Sequence, residues 1–113
     1  MTFWSVWEGE QLAGIGALKL LDDKHGELKS MRTAPNYLRR GVASLILRHI
    51  LQVAHDRCLH RLSLETGTQA GFTACHQLYL KHGFVDCEPF ADYQLDPHSR
   101  FLSLTLCENN ELP

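Results

Sequence analysis

Apolar and polar residues change rhythm several times along the chain, and each change marks an element. Residues 3–8 (FWSVWE) mix aromatic and β-branched side chains, and residues 12–21 (LAGIGALKLL) are apolar with small residues between. Gly9 lies among polar residues between these runs, so the pair reads as a hairpin. A polar break at 22–26 precedes a third strand over Glu27–Thr33, whose alternation is imperfect. Ala34-Pro35-Asn36 then breaks the chain. From Val42 to Cys58 apolar residues recur at 42, 45, 46, 50, 53 and 54, and these spacings of three and four predict a helix. Leu62, Leu64 and Thr66 belong to a short buried strand. A second helix is expected over about Phe72–His82, ended by Gly83. A strand at Phe84–Cys87, a polar loop at Pro89–His98 and an alternating strand at Arg100–Leu106 follow. The last residues, CENNELP, read as a frayed tail. The order β-β-β-α-β-α-β-β predicts an α/β protein with one mixed sheet in a single domain. Its first strands are antiparallel, its βαβ unit requires a crossover and a parallel pair, and its helices pack on the sheet faces.

Composition narrows the classes. In 113 residues, 44% are hydrophobic and 21% charged, as in ordinary globular domains. No apolar run approaches the ~18–20 residues of a membrane-spanning helix. The N-terminus lacks the basic start and apolar core of a secretory signal. Cys58, Cys75, Cys87 and Cys107 are widely spaced, which suits free thiols in a reducing cytoplasm. Net charge is −2. However, residues 29–61 hold Lys29, Arg32, Arg39, Arg40, Arg48, Arg57 and Arg61 against one acid, Asp56. A basic segment inside an acidic chain suggests a defined anionic ligand rather than a nucleic acid. Seven histidines, at 25, 49, 55, 60, 76, 82 and 98, form neither HExxH nor a zinc-finger spacing, so no metal is expected.

The strongest local signal is the junction between the third strand and the first helix. A strand runs into a basic, glycine-containing turn that opens a helix. Helix N-terminal amides lack intrahelical partners and carry the positive end of the helix dipole, so such a turn can cradle phosphate. Gly41 lets backbone approach a ligand, and Arg39 and Arg40 add charge. On spacing alone, a surface turn with solvated arginines fits equally well.

Residues 38–43, Leu-Arg-Arg-Gly-Val-Ala, resemble the second half of the phosphate loop of the GNAT acetyltransferase superfamily. They depart from it at Leu38, where Gln or Arg is usual. Residues 75–84, Cys-His-Gln-Leu-Tyr-Leu-Lys-His-Gly-Phe, are similar to that family's Ala-x-x-Leu-Tyr-x-x-x-Gly-Phe, with Cys75 in place of Ala. The stretch from GELKSMRTAP to PFADY and DP resembles one bacterial branch of the superfamily over nearly the whole chain. The resemblance implies a GNAT acyltransferase fold that transfers acetyl from acetyl-CoA, as cosubstrate, to a primary amine of a small-molecule or amino-acid-like acceptor.

The resemblance also implies residue roles. Met31 and Thr33 would hold the pantetheine arm through their backbone. The loop Arg39, Arg40, Gly41, Val42, Ala43 and Ser44 would bind the phosphates. Tyr79 matches the tyrosine that protonates the departing thiolate, with a core tyrosine as the alternative. Glu27 stands where some members place the base that deprotonates the amine, against a strand-edge carboxylate. Glu65 and Thr66, at a strand end, and Asp92, Tyr93 and Asp96, in a loop, are candidates for the acceptor site; a solvated turn and loop are the alternatives.

The chain starts at a hairpin that the superfamily usually precedes with a strand and two helices. A misassigned or trimmed start, a dimer whose partner covers the gap, and a degenerate CoA-binding or regulatory module compete as explanations. A homodimer is expected, because Phe3, Trp4, Val6 and Trp7 need burial. A phosphate-binding interaction protein unrelated to CoA is a further reading of the loop.

Overall fold

The computed structural model describes residues 1–106; Cys107 and the remainder of the expected tail lie outside the described residues. Six strands form one sheet in the order β1-β2-β3-β4-β6-β5. They are β1 (Thr2–Glu8), β2 (Gln11–Leu20), β3 (His25–Thr33), β4 (Arg61–Gly67), β5 (Val85–Asp86) and β6 (Ser99–Thr105). Helix α1 (Val42–Asp56) follows a short 3-10 turn at Pro35–Tyr37, and helix α2 (Thr73–Lys81) follows another at Ala70–Phe72. The β3–β4 pair is parallel and every other neighbouring pair is antiparallel.

Both helices feed one core cluster, where Val42, Ile46, Leu47, Ile50 and Ala54 of α1 and Tyr79 of α2 meet Leu18, Leu28, Leu62, Leu64 and Leu102. The sequence reading placed helices on the sheet faces; here they share one face. The reason is topological. The crossovers β3-α1-β4 and β4-α2-β5 advance in the same direction across the sheet, and two right-handed crossovers of that kind put their helices on the same side. Within α1 the buried stripe includes Leu47, whereas Leu45 is exposed. The helix lies close to β2 because Gly14 and Gly16 leave room for it. A Cβ at Gly16 would come within 2.6 Å of Ile46 and 2.8 Å of the Met31 sulfur. α2 ends where the Phe84 N–H returns to the Tyr79 carbonyl (3.1 Å) across Gly83.

The opposite face is covered over β4 and β6 by the loop before β6, whose Phe90 and Tyr93 pack on Phe101. Over β1 and β2 it is open. Trp4 and Val6 pack against the core, with Trp4 edge-on to His49. Phe3 and Trp7 point the other way and are 61% and 57% exposed. Within one chain, strand alternation half-buries two of these four side chains.

The imperfect alternation of the third strand has a structural cause. Ile15 pairs with Arg32 but Ala17 pairs with Lys29, so β3 carries one residue more than β2 over this span. Ser30, at φ 58°, is the left-handed residue within it. This is a β-bulge.

Among the described residues, no helix is long and apolar enough to cross a membrane. None of them form a cluster of three or more metal-ligating side chains.

Candidate active site

β3 and β4 pair only at His25–Arg61, Gly26–Leu62 and Glu27–Ser63. Beyond Glu27 both strands run on, to Thr33 and Gly67, without pairing to each other. A cleft of about 440 Å3 opens between them. Its walls are the β3 segment Glu27–Arg32 and the β4 segment Leu64–Gly67. Cys75 and Tyr79 enter from α2, and Tyr93 and His98 from the loop before β6. Parted strands leave backbone N–H and C=O groups free to bind an extended ligand. The bulge at Ser30 adds to this by breaking the ladder on the other side of β3.

α1 begins at the same end of the sheet. Arg39 and Gly41 both adopt left-handed backbone, at φ 62° and 82°. Gly41 occupies the N-cap position, with no side-chain cap and no acidic residue in the first turn. The first bond is from the Leu45 N–H to the Gly41 carbonyl (3.0 Å). The amides of Val42, Ala43 and Ser44 therefore find no acceptor among the described residues. The space where a Gly41 Cβ would stand is open. Free amides, the positive helix end and unobstructed approach together suit a phosphate or pyrophosphate group. Of the two loop arginines, Arg40 is held in place. Its guanidinium lies 4.7 Å from the Tyr37 ring centre and 3.6 Å from Glu8. The Tyr37 hydroxyl donates to Glu8 (2.9 Å) and lies 3.0 Å from the Gln11 side-chain amide, which fixes the stacking surface. Arg39 is exposed. Arg48 on α1 and Arg57 just past its end are exposed, so only part of the basic segment gathers at the loop.

Tyr79 is 6% exposed and its ring packs against Phe84. Its hydroxyl has no hydrogen-bond partner among the described residues, and the side chain lines the cleft. Burial, with Cys75 beside it, raises the pKa of Tyr79 well above the usual phenol range.

Glu27 sits at the apex where the strands part and is 2% exposed. The Tyr93 hydroxyl donates to its Oε2 (2.6 Å), and the Lys29 ammonium lies 3.5 Å from the same oxygen. Lys29 also reaches the Tyr93 hydroxyl (3.4 Å). Burial lifts the Tyr93 phenol, and its bond to Glu27 lifts it further. Burial pulls Lys29 downward, but Tyr93 and Glu27 outweigh this and hold it above its ordinary value.

Glu65 and Thr66 line the opposite wall, with Glu65 accepting a hydrogen bond from Ser99 (2.6 Å). Met31 lines the β3 wall. Thr33, at the strand end, pairs with Gly14. Asp92 is separate from the cleft: it borders a depression with Lys19, Asp22 and His25. The Asp96 carboxylate accepts the His98 N–H (2.8 Å). Lys29, Arg32, Gln69, Phe72 and His98 also line the cleft and were not singled out from the sequence. The charge excess of 29–61 contained Lys29 and Arg32, and two-residue periodicity from Glu27 could have selected Lys29.

Parted parallel strands, a helix that begins at the same end of the sheet and a buried tyrosine lining the gap suit an extended ligand that carries a phosphate group. The chain belongs to the Acetyltransferase (GNAT) family, whose model matches residues 1–84. It is 96% identical over 113 residues to the uncharacterized N-acetyltransferase YedL of Escherichia coli (strain K12), covering all of this chain and 71% of that protein. It is 56% identical over 106 residues to the uncharacterized N-acetyltransferase YsnE of Bacillus subtilis (strain 168), covering 94% of this chain and 70% of that one. Its fold matches a GNAT family acetyltransferase from Elizabethkingia anophelis with acetyl-CoA bound. There the TM-score is 0.76 and the identity 18%, covering 92% of this chain and 75% of that one.

Proposed function

We propose that this chain transfers an acetyl group from acetyl-CoA to a primary amine by direct attack, with Glu27 as base and Tyr79 as acid. The loop amides of residues 42–44, helped by Arg39 and Arg40, hold the pyrophosphate. The free backbone of Met31 and its neighbours on β3 lies along the pantetheine arm. The observation that carries this reading is the parting of β3 and β4 immediately after Glu27, with the unpartnered hydroxyl of Tyr79 lining the same gap.

Acetyl-CoA supplies the activated acyl group. The acceptor nitrogen forms the new C–N bond as the thioester C–S bond breaks. Glu27 takes the proton that the amine must lose, directly or through water. Tyr79 gives its proton to the departing thiolate. Glu65 and Thr66 line the acceptor side of the cleft in this reading, and Tyr93 lines it while holding Glu27. Cys58, Cys75 and Cys87 are free, which fits a reducing compartment, the cytoplasm in this reading. The open apolar face with Phe3, Trp7 and Leu12 fits a homodimer, and a monomer by light scattering at micromolar concentration would refute that assembly.

The test is thermal stability with and without acetyl-CoA. Ligand at 100 times its dissociation constant stabilises by about 2.7 kcal/mol, and for a domain of this size the melting temperature rises by roughly 10 °C or more. No rise at millimolar acetyl-CoA would overturn the reading.

A further inference from the structure

We infer that the acceptor is an α-amino acid, a zwitterion whose carboxylate lies beside its amine, and that Lys29 binds that carboxylate. The inference rests on the acetyl-transfer reading of the same cleft.

An amine reaches an enzyme at neutral pH as an ammonium ion. Glu27 attracts it, but Lys29 stands 3.5 Å from the Glu27 oxygen and repels it over nearly the same distance. For an acceptor that carries only positive charge, the two effects cancel. The rest of the cleft does not restore the attraction. Its charged walls are Glu27 and Glu65 against Lys29 and Arg32, with His98 at the rim, and Glu65 already accepts from Ser99. A site selecting polyamines would show an excess of carboxylates.

A zwitterion reverses the argument. Its ammonium can turn toward Glu27 while its carboxylate meets Lys29, so both charges are matched. Lys29 is available for this. Its side chain is 31% exposed where that of Glu27 is 3%. An ammonium group has three donors. The two contacts Lys29 makes, 3.5 Å to Glu27 and 3.4 Å to Tyr93, are long for hydrogen bonds and leave capacity. The Tyr93 hydroxyl is already committed to Glu27 at 2.6 Å, so it holds the base, and Lys29 is the donor beside that base with capacity left. Because Lys29 is two residues from Glu27 on one strand face, the anchor lies beside the base. That separation suits a carboxylate one carbon from the amine, and Arg32, farther along β3, would suit a longer spacer.

The experiment compares a panel of L-α-amino acids with their amides, their decarboxylated amines and simple polyamines, using the chain with acetyl-CoA. Two quantities are read: kcat/KM, and the rise in melting temperature that each compound gives to the CoA-loaded protein. At least one amino acid is expected to exceed its own amide by about tenfold or more, as when a charged group of the site is left unpaired. The same amino acid should stabilise the CoA-loaded protein while its amide does not. Lys29→Gln should bring the acid-to-amide ratio close to one, mainly through KM, and Lys29→Arg should restore most of it. Amides, peptides or polyamines equal to the amino acids would overturn the inference. So would a preference for β- or γ-amino acids, or a ratio unchanged in Lys29→Gln. Stabilisation by acetyl-CoA without binding of any amino acid overturns the acceptor class and leaves acetyl transfer standing. No stabilisation by acetyl-CoA overturns both.

Discussion

The two halves of the proposed acetyl-CoA site are built from different materials. At the proposed phosphate loop the working groups are backbone amides. Gly41 and the first turn of α1 present them, and the side chains nearby are exposed or tied to Tyr37 and Glu8. At the apex the working groups are side chains drawn from distant parts of the chain: Glu27 and Lys29 from β3, and Tyr93 from the loop before β6, with Tyr79 reaching the same cleft from α2. A backbone-built site depends on local conformation and tolerates side-chain exchange. A site assembled from side chains depends on tertiary packing and fails when one member is trimmed.

The largest effect that sharpens this contrast is expected from Tyr79→Phe. Turnover should fall by about 100-fold or more, the scale of general-acid catalysis, with stabilisation by acetyl-CoA retained. Equal loss of acetyl-CoA binding would mean that Tyr79 supports the fold rather than the chemistry. At the other end, Gly41→Val forces a β-branched residue into a left-handed conformation at a cost of about 1–2 kcal/mol. A rise of about tenfold in the acetyl-CoA dissociation constant is expected, measured by calorimetry, with little change in kcat. Tyr93→Phe removes one hydrogen bond to the buried Glu27 carboxylate. By the usual worth of a bond to a charged group, about 1.5–3 kcal/mol at most, kcat/KM should fall by roughly tenfold. Arg40→Ala should have the smallest effect on activity, at most about threefold in the KM for acetyl-CoA and shrinking further with added salt. If Arg40→Ala outweighs Gly41→Val, the loop is side-chain-built and the contrast fails.

Tyr79 also gives a pH test of stability. Burial raises its folded-state value above the unfolded phenol value of about 10. The unfolded chain therefore loses that proton first, and stability is intact below about pH 10 and declines as pH rises above it. Thermal unfolding followed from pH 8 to 11 should show this decline in the native chain and a shallower one in Tyr79→Phe.

The same contrast explains what could be read from the sequence. The loop was legible because its conformational demands fall on consecutive residues, so Leu38–Ala43 carries them in order. Tyr79 came forward only through its resemblance to the family's Leu-Tyr-x-x-x-Gly-Phe motif, since helical spacing alone fits a core tyrosine equally well. The apex was legible only in part. Glu27 and Tyr93 could each be named, but their bond joins residues 66 apart and no local pattern encodes it. Lys29 was hidden as one of seven basic residues in a charged stretch. Asp92 stands next to Tyr93 in the chain yet borders a different depression, because adjacent loop residues need not share a direction. The common face of the two helices was also missed, since it follows from strand order, which periodicity does not report. The exposed Phe3 and Trp7 alternate with the packed Trp4 and Val6, so hydrophobicity alone could not say which of the four the fold would cover.

The extra residue at Ser30 sets the phase of everything after it on β3. Upstream, Glu27 and Lys29 face away from the helices and Leu28 faces the core. After the extra residue, Met31 stands over Gly16 beside Ile46, and Arg32 falls opposite Ile15. Strict alternation would send Met31 outward and drive the guanidinium of Arg32 into the packing of α1. Pairing Ser30 into a regular ladder would therefore be a frameshift in three dimensions, and the polar and apolar edges of this wall would trade places. Deleting residue 30 would instead give an unbulged strand that keeps Met31 and Arg32 on their present faces.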